Sequence, residues 1–466
     1  MRQDVRSERS GPRAALAAGL LATLAWVALV APAAAREAPG WVPAWTAAPV
    51  AAYPAGYTVG QPGPELEGPP GLVAPRLTAA FPDDQASDQT LRMIVRPGIG
   101  GRTWRVRLSN QFGTGPVTFG RATVAVRQSG ATLVPGTSRP LTFSGRRSVT
   151  VARGATVASD PVGIRLREPQ LRDLAVSLNV AGASGPMTWH GASFTTSYLT
   201  DQGAGDRTAD PGEEAFPHPT TSWFFLAGLE VRRRDVATVV ALGDSITDGY
   251  FSTINGHDRW PDVLRRRLEL RGEPALSVIN QGITGNMVTR VGRLPGGCTV
   301  CDGPPLLDRL ERDVLRQPGV RAVILMEGIN DLGSGGATAA QVIAGLREVA
   351  ERVRARGIRI VGATLTPAGG TEFDQYGTPE TDARRQEVNA FIRANGGVFD
   401  AMVDFAAATE DPADRSRLLP VFDTNTSVGG PGDHLHPNRA GLAAMARAVD
   451  VDELRRFARR AAATAR

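Results

Sequence analysis

The amino-acid sequence predicts a β-rich front part followed by an α/β part that is built on a parallel sheet. Between Trp41 and Glu230, short runs alternate apolar and polar residues, which is the pattern of half-buried strands, and turn residues separate the runs. After Arg234, uninterrupted apolar runs alternate with amphipathic segments, as expected for strands buried on both faces and joined by helices. The 466 residues suffice for two hydrophobic cores, so we expect two domains.

The front domain is expected to span residues 36–230 as a β-sandwich or jelly roll. A stretch rich in Gly, Asp, Pro and Glu at residues 201–218 indicates a loop or linker. The tryptophans of this part can either pack in the core or form a platform for sugar rings: they are Trp41, Trp45, Trp104, Trp189 and Trp223. The predicted strands are Leu91–Arg96, Trp104–Leu108, Ala122–Val126, Ser148–Val151, Val162–Leu166 and Leu174–Val180.

The second domain is expected to span residues 231–466, with helices on both faces of a parallel sheet. The loops at the carboxyl ends of its strands should meet at one edge, where α/β sheets hold their active sites. The predicted strands are Val236–Leu242, Leu276–Asn280, Val320–Met326, Ile358–Leu365 and Phe399–Val403. The predicted helices are a segment around Trp260–Leu270, Leu306–Leu315, Ala339–Arg356, Asp382–Ala394 and a C-terminal helix from Arg439.

The first 35 residues resemble a signal peptide in their pattern: an Arg-rich start, an apolar stretch at residues 14–30, and a small-residue cleavage site at Ala33-Ala-Ala35. The alternative is a short membrane anchor. We expect cleavage, and therefore a secreted or periplasmic protein with no stable membrane insertion. In that oxidising compartment Cys298 and Cys301 are expected to form a disulfide; a redox pair and half of a zinc site are the alternatives.

The cationic side chains are all arginines, because the 52 Lys and Arg residues include no lysine. The absence of lysine excludes Schiff-base chemistry and Ser–Lys catalysis. The net charge of +5 raises the question of nucleic-acid binding, but the arginines are scattered among acidic residues, so we expect a solvated surface and no nucleic-acid partner.

The loop Gly243-Asp-Ser-Ile-Thr-Asp-Gly249 directly follows a predicted buried strand. Ser245 lies where a helix would begin, so its backbone N–H has no partner within that helix. A serine in this place is either a simple helix cap or an exposed nucleophile. The residue alone leaves both interpretations open.

Two further loops can supply hydrogen-bond donors to a developing negative charge. In Asn280-Gln-Gly-Ile-Thr-Gly-Asn286, Gly282 allows close approach of the backbone, although it can equally be a turn glycine. In Met326-Glu-Gly-Ile-Asn-Asp331, the Asn330 amide offers two N–H donors without adding a titratable group; a turn or a helix cap is the alternative.

The loop Gly432-Asp-His-Leu-His-Pro-Asn438 precedes the predicted C-terminal helix. Asp433 and His436 are three residues apart, so a single turn can join the carboxylate to the imidazole, and such a pair can accept a proton from a hydroxyl. His434 is the competing base. A metal site made of Asp433, His434 and His436 is also open.

These four loops, in this order, resemble the sequence blocks of the GDSL/SGNH hydrolase family, and the resemblance extends from Val236 to Val451. It implies a flavodoxin-like three-layer α/β/α fold. It also implies a catalytic triad of Ser245, Asp433 and His436 and an oxyanion hole formed by Ser245, Gly282 and Asn330. In addition, Arg259-Trp-Pro-Asp262 and the β-rich front domain resemble an arylesterase-like branch that is linked to xylan-degrading enzymes.

The resemblance implies a serine esterase that needs no metal or organic cofactor. We expect it to act on a small-molecule or carbohydrate ester, removing acetyl groups or cleaving short-chain or aryl esters. A lipase or lysophospholipase of the same family is the first alternative. A metal-dependent hydrolase and a non-catalytic polysaccharide-binding protein are the others.

Overall fold

The computed structural model describes residues 40–51, 80–81, 83, 85–166, 172–271, 276–289, 303–373, 375–427 and 429–463. The predicted signal peptide, and Cys298 and Cys301 with their predicted disulfide, lie outside these residues. Residues 39–466 form one compact unit. No helix in the described ranges has both the length and the apolar character that a membrane span requires.

The front part consists of antiparallel strands, as the alternating pattern predicts. Its strands are β1 (Trp41–Thr46), β2 (Gln85–Val95), β3 (Gly101–Ser109), β4 (Val117–Ser129), β5 (Thr132–Leu133), β6 (Arg139–Pro140), β7 (Val149–Val151), β8 (Thr156–Ala158), β9 (Val162–Leu166), β10 (Leu174–Pro186), β11 (Trp189–His190), β12 (Ser197–Leu199), β13 (His218–Thr220), β14 (Trp223–Phe224) and β15 (Leu226–Arg232). Each of the six predicted strands coincides with one of these, and two of them, Leu91–Arg96 and Ser148–Val151, extend one residue beyond the observed strand.

Two sheets account for most of these strands. One has the order β1-β15-β3-β8, with β9 also paired to β3; the other has the order β13-β12-β2-β10-β4-β5, with β6 and β7 also paired to β4. Their side chains share one apolar cluster, in which Trp104 and Val106 of the first sheet and Met93 and Val176 of the second are fully buried. Burial of these side chains from water holds the two sheets together.

Residues 201–217 form a loop, as predicted for the stretch 201–218, and His218 begins β13. The loop does not link two domains. Arg92 of β2 is buried and donates hydrogen bonds to the carbonyl oxygens of Asp210, at 2.7 Å, and Gly212, at 3.2 Å. Its guanidinium also lies 3.9 Å from the centre of the Phe216 ring. The loop is therefore tied to the second front sheet, and the chain returns from it into the front strands β13 to β15.

The tryptophans of the front part form no sugar-binding platform on the described surface, because all five are core residues. Their exposed fractions are 9% or less. Trp45 and Trp223 pack edge to face with their ring centres 4.7 Å apart. The alternative of core packing is confirmed.

The second part contains the predicted parallel sheet, formed by β16 (Ala237–Gly243), β17 (Leu276–Gly282), β18 (Val320–Met326), β19 (Arg359–Ala363) and β20 (Ala401–Val403). Their order is β17-β16-β18-β19-β20, and each pair is parallel. Side chains such as Val240 and Ile324 are fully buried, which explains the uninterrupted apolar runs. A small antiparallel pair, β21 (Glu410–Asp411) and β22 (Asp414–Leu418), follows.

The helices of this part connect the strands and follow the predicted positions closely. They are α1 (Ser245–Asp248), α2 (Trp260–Leu270), α3 (Leu306–Leu310), which continues as a π-helical turn over Glu311–Leu315, α4 (Ile329–Leu332), α5 (Ala339–Arg354), α6 (Pro379–Ala394), α7 (Phe405–Thr409), α8 (Arg439–Ala448) and α9 (Val451–Ala463). A short 3-10 turn spans Pro420–Phe422.

The two parts are joined where β1 lies beside β17. The Ser277 hydroxyl donates to the carbonyl oxygen of Pro43 at 2.6 Å, and the Gln281 amide donates to the Thr46 hydroxyl at 3.0 Å. These hydrogen bonds run along β17, so the front part contacts the parallel sheet from the amino end to the carboxyl end of one strand.

Candidate active site

Ser245 and the Asp433–His436 pair, which lie far apart in sequence, form a continuous hydrogen-bonded line at the carboxyl edge of the parallel sheet. The Ser245 hydroxyl lies 2.8 Å from His436 Nε2, and His436 Nδ1 lies 2.6 Å from a carboxylate oxygen of Asp433. A carboxylate can only accept, so Nδ1 carries the proton and Nε2 accepts from the serine. The structure therefore brings together the predicted nucleophile, base and orienting acid in the required tautomer.

Ser245 is held by a short turn between β16 and α1. Asp244 caps the helix by accepting a hydrogen bond from the Ile246 N–H at 3.0 Å. The Ser245 N–H itself has no hydrogen-bond partner among the described residues, so this donor is open to a ligand. Ser245 and His436 are 3% and 7% exposed, which places the reacting atoms below the surface.

Asp433 is fixed by its own loop as well as by the histidine. Its second carboxylate oxygen accepts from the backbone N–H groups of Leu435, at 3.0 Å, and His436, at 2.8 Å. Burial alone would raise the pKa of Asp433, but the charge of His436 and the hydrogen bonds from this loop outweigh it and lower the pKa below its usual value. The carboxylate stays ionised and can stabilise an imidazolium.

His434 pairs with a different carboxylate, which argues against its role as the catalytic base. Its Nδ1 is hydrogen bonded to Asp423, and its side chain is 46% exposed. Both ring nitrogens of His436 are already used by Ser245 and Asp433. No group of three or more potential ligands is arranged for a metal ion within the described ranges, so Asp433, His434 and His436 do not converge as that alternative requires.

The predicted oxyanion role of Gly282 does not fit the structure. Its N–H donates to the side-chain oxygen of Asn280 at 2.8 Å, so the chain itself occupies this donor. A Cβ at this position would lie 2.3 Å from the Asp248 nitrogen and 2.8 Å from the Thr247 carbonyl carbon. Gly282 is therefore required for the close approach of β17 to α1, which is a packing role.

Gly285, in the same loop, offers the donor that Gly282 does not. Its N–H has no hydrogen-bond partner among the described residues, and its φ of +76° is readily adopted by glycine. The loop is tied to the nucleophile turn because the Ile283 N–H donates to the Gly243 carbonyl oxygen at 3.1 Å. The sequence signal for Gly285 was present in the second loop, but its spacing alone did not distinguish the two glycines.

The Asn330 amide is oriented by contacts at both of its ends. Its oxygen accepts from the Tyr376 hydroxyl at 2.7 Å, and its nitrogen donates to the Asn286 carbonyl oxygen at 2.8 Å. The second amide hydrogen has no partner in the described part of the chain, so it can serve a ligand. Since Asn286 follows Gly285, this hydrogen bond also places the loop donor beside the amide.

Three buried carboxyl groups lie beneath the site, and the sequence did not single them out. Burial raises the pKa of Asp244 to about 7 and raises the pKa values of Glu327 and Asp331 as well. Arg309, which is also buried, lies 3.9 Å from Glu327 and donates to the Gly243 carbonyl oxygen at 3.0 Å. These groups lie beneath the strand ends that carry the predicted site residues.

Aromatic rings lie beside the imidazole of His436. The Tyr250 ring centre lies 4.5 Å from that of His436, and the Phe251 ring centre lies 5.7 Å from it. Phe194, from the front part, packs edge to face on Tyr250 at 5.6 Å. The front part thus reaches the wall of the site.

Comparison with known proteins gives a family for this region. Residues 241–444, somewhat less than half of the chain, match the profile of the GDSL-like lipase/acylhydrolase family. These residues include all four loops described above. No curated protein matches the chain.

Several solved structures are similar to about half of the chain at low identity. A GDSL-like lipase from Bacteroides thetaiotaomicron is 18% identical, with 48% of this chain and 88% of that one covered and a TM-score of 0.34. A carbohydrate acetylesterase family member from Sinorhizobium meliloti is 18% identical, with 48% and 99% covered and a TM-score of 0.35. A variant of an acetyl-xylooligosaccharide esterase from Geobacillus is 21% identical, with 47% and 94% covered and a TM-score of 0.34.

Proposed function

We propose that Ser245 is the acylated nucleophile of this chain. Its residues 241–444 form the GDSL-like lipase/acylhydrolase domain of an ester-hydrolysing serine hydrolase. The observation that carries this proposal is the hydrogen-bonded line from the Ser245 hydroxyl through His436 to Asp433, with distances of 2.8 and 2.6 Å. Each atom in it has the donor or acceptor character that acyl transfer needs.

The reaction proceeds in two steps. His436 Nε2 accepts the Ser245 proton as the hydroxyl oxygen forms a bond to the ester carbonyl carbon, and the imidazolium then protonates the departing alcohol. Water attacks the acyl-enzyme with the same base and releases the acid. In both steps Asp433 holds the imidazole in one tautomer and stabilises its positive charge.

The tetrahedral oxyanion is bound by three donors: the N–H groups of Ser245 and Gly285 and the free amide hydrogen of Asn330. The support for this set is that the three donors have no other partner among the residues that the structure describes and lie on loops that are hydrogen bonded to each other. Donors fixed before the reaction lower its barrier because no reorganisation is needed when charge develops.

Substitution of the nucleophile tests the assignment directly. Ser245→Ala should abolish hydrolysis of p-nitrophenyl acetate and labelling by a fluorophosphonate probe, while the thermal unfolding transition is retained. His434→Ala serves as the matched control in the same site region and should keep both activities. Full activity in Ser245→Ala would overturn the proposal.

For the substrate, we favour a short acyl group, such as acetyl, on a carbohydrate or other small alcohol. The support is that Ser245 is only 3% exposed and that the rings of Tyr250 and Phe251 lie close to His436, which favours a small acyl group. A lipase or lysophospholipase is the second candidate. A p-nitrophenyl ester series from two to twelve acyl carbons, run beside acetyl release from acetylated xylan, separates them: kcat/KM should fall with chain length, and a rise would favour the lipase.

We also propose that residues 36–230 and 231–466 are separate domains, the first a β-sandwich and the second a flavodoxin-like three-layer structure. The shared core of the two front sheets supports the first. The contacts of α2 with α8 and of α5 with both α3 and α6 support two helix layers in the second.

Export is proposed from the pattern of residues 1–35. A mature N-terminus at Arg36 outside the cytoplasm would agree with it, and an intact Met1 in the cytoplasm would contradict it.

A further inference from the structure

A segment of the front part, residues 190–196, lies along the loop that follows the nucleophile. The Phe194 carbonyl oxygen accepts from the Asn255 N–H at 2.9 Å, and the Asn255 side chain accepts from the Thr196 N–H at 2.8 Å. Arg259 donates to the Ser193 carbonyl oxygen. The segment is therefore held against the catalytic part by several polar contacts and is not a loosely attached neighbour.

His190, at the start of this segment, connects the two parts most directly. It is 5% exposed; its Nδ1 lies 2.9 Å from the Ala48 carbonyl oxygen and its Nε2 lies 2.9 Å from a carboxylate oxygen of Asp248. A carbonyl and a carboxylate can only accept, so both nitrogens carry protons and the ring is an imidazolium. Burial opposes this charge, but the attraction of Asp248 outweighs it and raises the pKa of His190.

Asp248 passes the contact on to the loop that carries the oxyanion donor. Its other carboxylate oxygen accepts from the Thr284 N–H at 3.2 Å and from the Thr284 hydroxyl at 3.1 Å. Thr284 immediately precedes Gly285. The hydrogen bonds of His190 and Thr284 with Asp248 thus connect the front part to the residue that precedes Gly285. Asp248 belongs to the same helix, α1, as Ser245.

We propose that His190 is a positioning residue for ester hydrolysis: it holds Asp248 against Thr284 and thereby fixes the Gly285 N–H where the oxyanion forms. The inference rests on the proposed function of Ser245 and adds a catalytic role for the front part. A contact that served only to hold the two parts together would not require such a side chain. The geometry instead places a charged, doubly donating side chain on the carboxylate of Asp248, which belongs to α1 and also binds the oxyanion loop.

Two substitutions at His190 test the link, with a control at the other end of the same domain contact. In His190→Ala the loop loses its restraint, so kcat for p-nitrophenyl acetate should fall about 10–100-fold while KM changes less than about threefold, the scale expected when an oxyanion donor is displaced. His190→Gln keeps a donor toward Asp248 and should recover most of kcat. Ser277→Ala removes the hydrogen bond to Pro43 at the far end of β17 and should leave kcat unchanged.

Thermal unfolding of each variant separates positioning from stability. An unchanged kcat in His190→Ala, with a lowered melting temperature, would show a purely structural contact and overturn the proposal. An equal loss of kcat in Ser277→Ala would overturn it too. Fluorophosphonate labelling of the unmodified protein tests Ser245 independently, so failure of the proposed function is recognised separately.

If His190→Ala does not fold, Thr284→Val tests the same line from its other end. This variant keeps the backbone N–H bond to Asp248 and removes the hydroxyl bond. Its kcat should fall about three- to tenfold, consistent with the loss of one hydrogen bond to a charged group. An unchanged kcat in this variant would contradict the proposed restraint of Gly285.

Discussion

Replacing Asp433 by Asn should nearly abolish turnover without disturbing the loop. One carboxylate oxygen of Asp433 accepts from two backbone N–H groups, those of Leu435 and His436, at 3.0 and 2.8 Å. In Asp433→Asn only the amide oxygen can fill that place, because an NH₂ group cannot accept. The amide nitrogen must then take the position that faces His436 Nδ1, now 2.6 Å from a carboxylate oxygen.

This forced orientation inverts the tautomer of the base. An NH₂ group donates, so Nδ1 of His436 becomes an acceptor and its proton moves to Nε2, which faces the Ser245 hydroxyl at 2.8 Å. A protonated Nε2 cannot take the serine proton. The stabilisation of the imidazolium by a negative charge is lost at the same time.

The expected loss in kcat is about 10³–10⁴-fold, the size seen when a triad histidine is held in the wrong tautomer. It corresponds to about 4–5 kcal/mol of transition-state stabilisation. The assay is steady-state hydrolysis of p-nitrophenyl acetate, with circular dichroism to verify the fold. Asp423→Asn, which makes the same change beside His434, is the matched control and should stay within about threefold of the unmodified protein, since His434 lies outside the hydrogen-bonded line from Ser245 to Asp433.

A loss smaller than tenfold in Asp433→Asn would refute the reasoning, because it would mean that His436 works without a fixed tautomer. A comparable loss in Asp423→Asn would also refute it, since the effect would then belong to the loop as a whole.

Two further substitutions probe the oxyanion hole and the buried carboxyl groups. Asn330→Ala should lower kcat about 10²–10³-fold with little change in KM if the amide binds the oxyanion; a change below threefold in the p-nitrophenyl acetate assay would remove Asn330 from that role. Burial raises the pKa of Asp244 to about 7, so the native state holds a proton that the unfolded chain releases from about pH 4. The stabilisation by this group is complete below about pH 4 and is lost as the pH rises through 7. Asp244→Asn should therefore lose less unfolding free energy between pH 5 and pH 8, by up to about 3 kcal/mol in urea titrations; an identical pH dependence in both proteins would contradict the buried position of this proton.

The positions of the parallel strands could be predicted from the sequence because a strand that is buried on both faces is apolar along its whole length. The run from Val236 to Leu242 and the strand Val320–Met326 were recognisable without any tertiary information, and the structure has them within one residue. The loops after these strands meet for a topological reason, since parallel strands place their carboxyl ends at one edge. Ser245 and Asn330 could therefore be placed at that edge from the sequence.

The choice between Gly282 and Gly285 could not be made in that way. Gly282 ends β17 and Gly285 lies three residues further on, and the Gly282 N–H is occupied only because the Asn280 side chain accepts from it. Such a local hydrogen bond leaves no periodic signal. The packing of Asp248 against Gly282 is likewise a contact between two chain segments that hydrophobic patterning does not describe.

By itself, the sequence determined the two successive fold patterns, the edge at which the four loops meet and the chemical types of the residues there. These properties depend on strand burial and chain direction, which composition and order encode. Only the tertiary structure decided which donors remain free, where His434 points and how His190 reaches Asp248 across 58 positions of sequence. Those outcomes depend on hydrogen bonds between segments that are remote in the chain, and no local pattern specifies them.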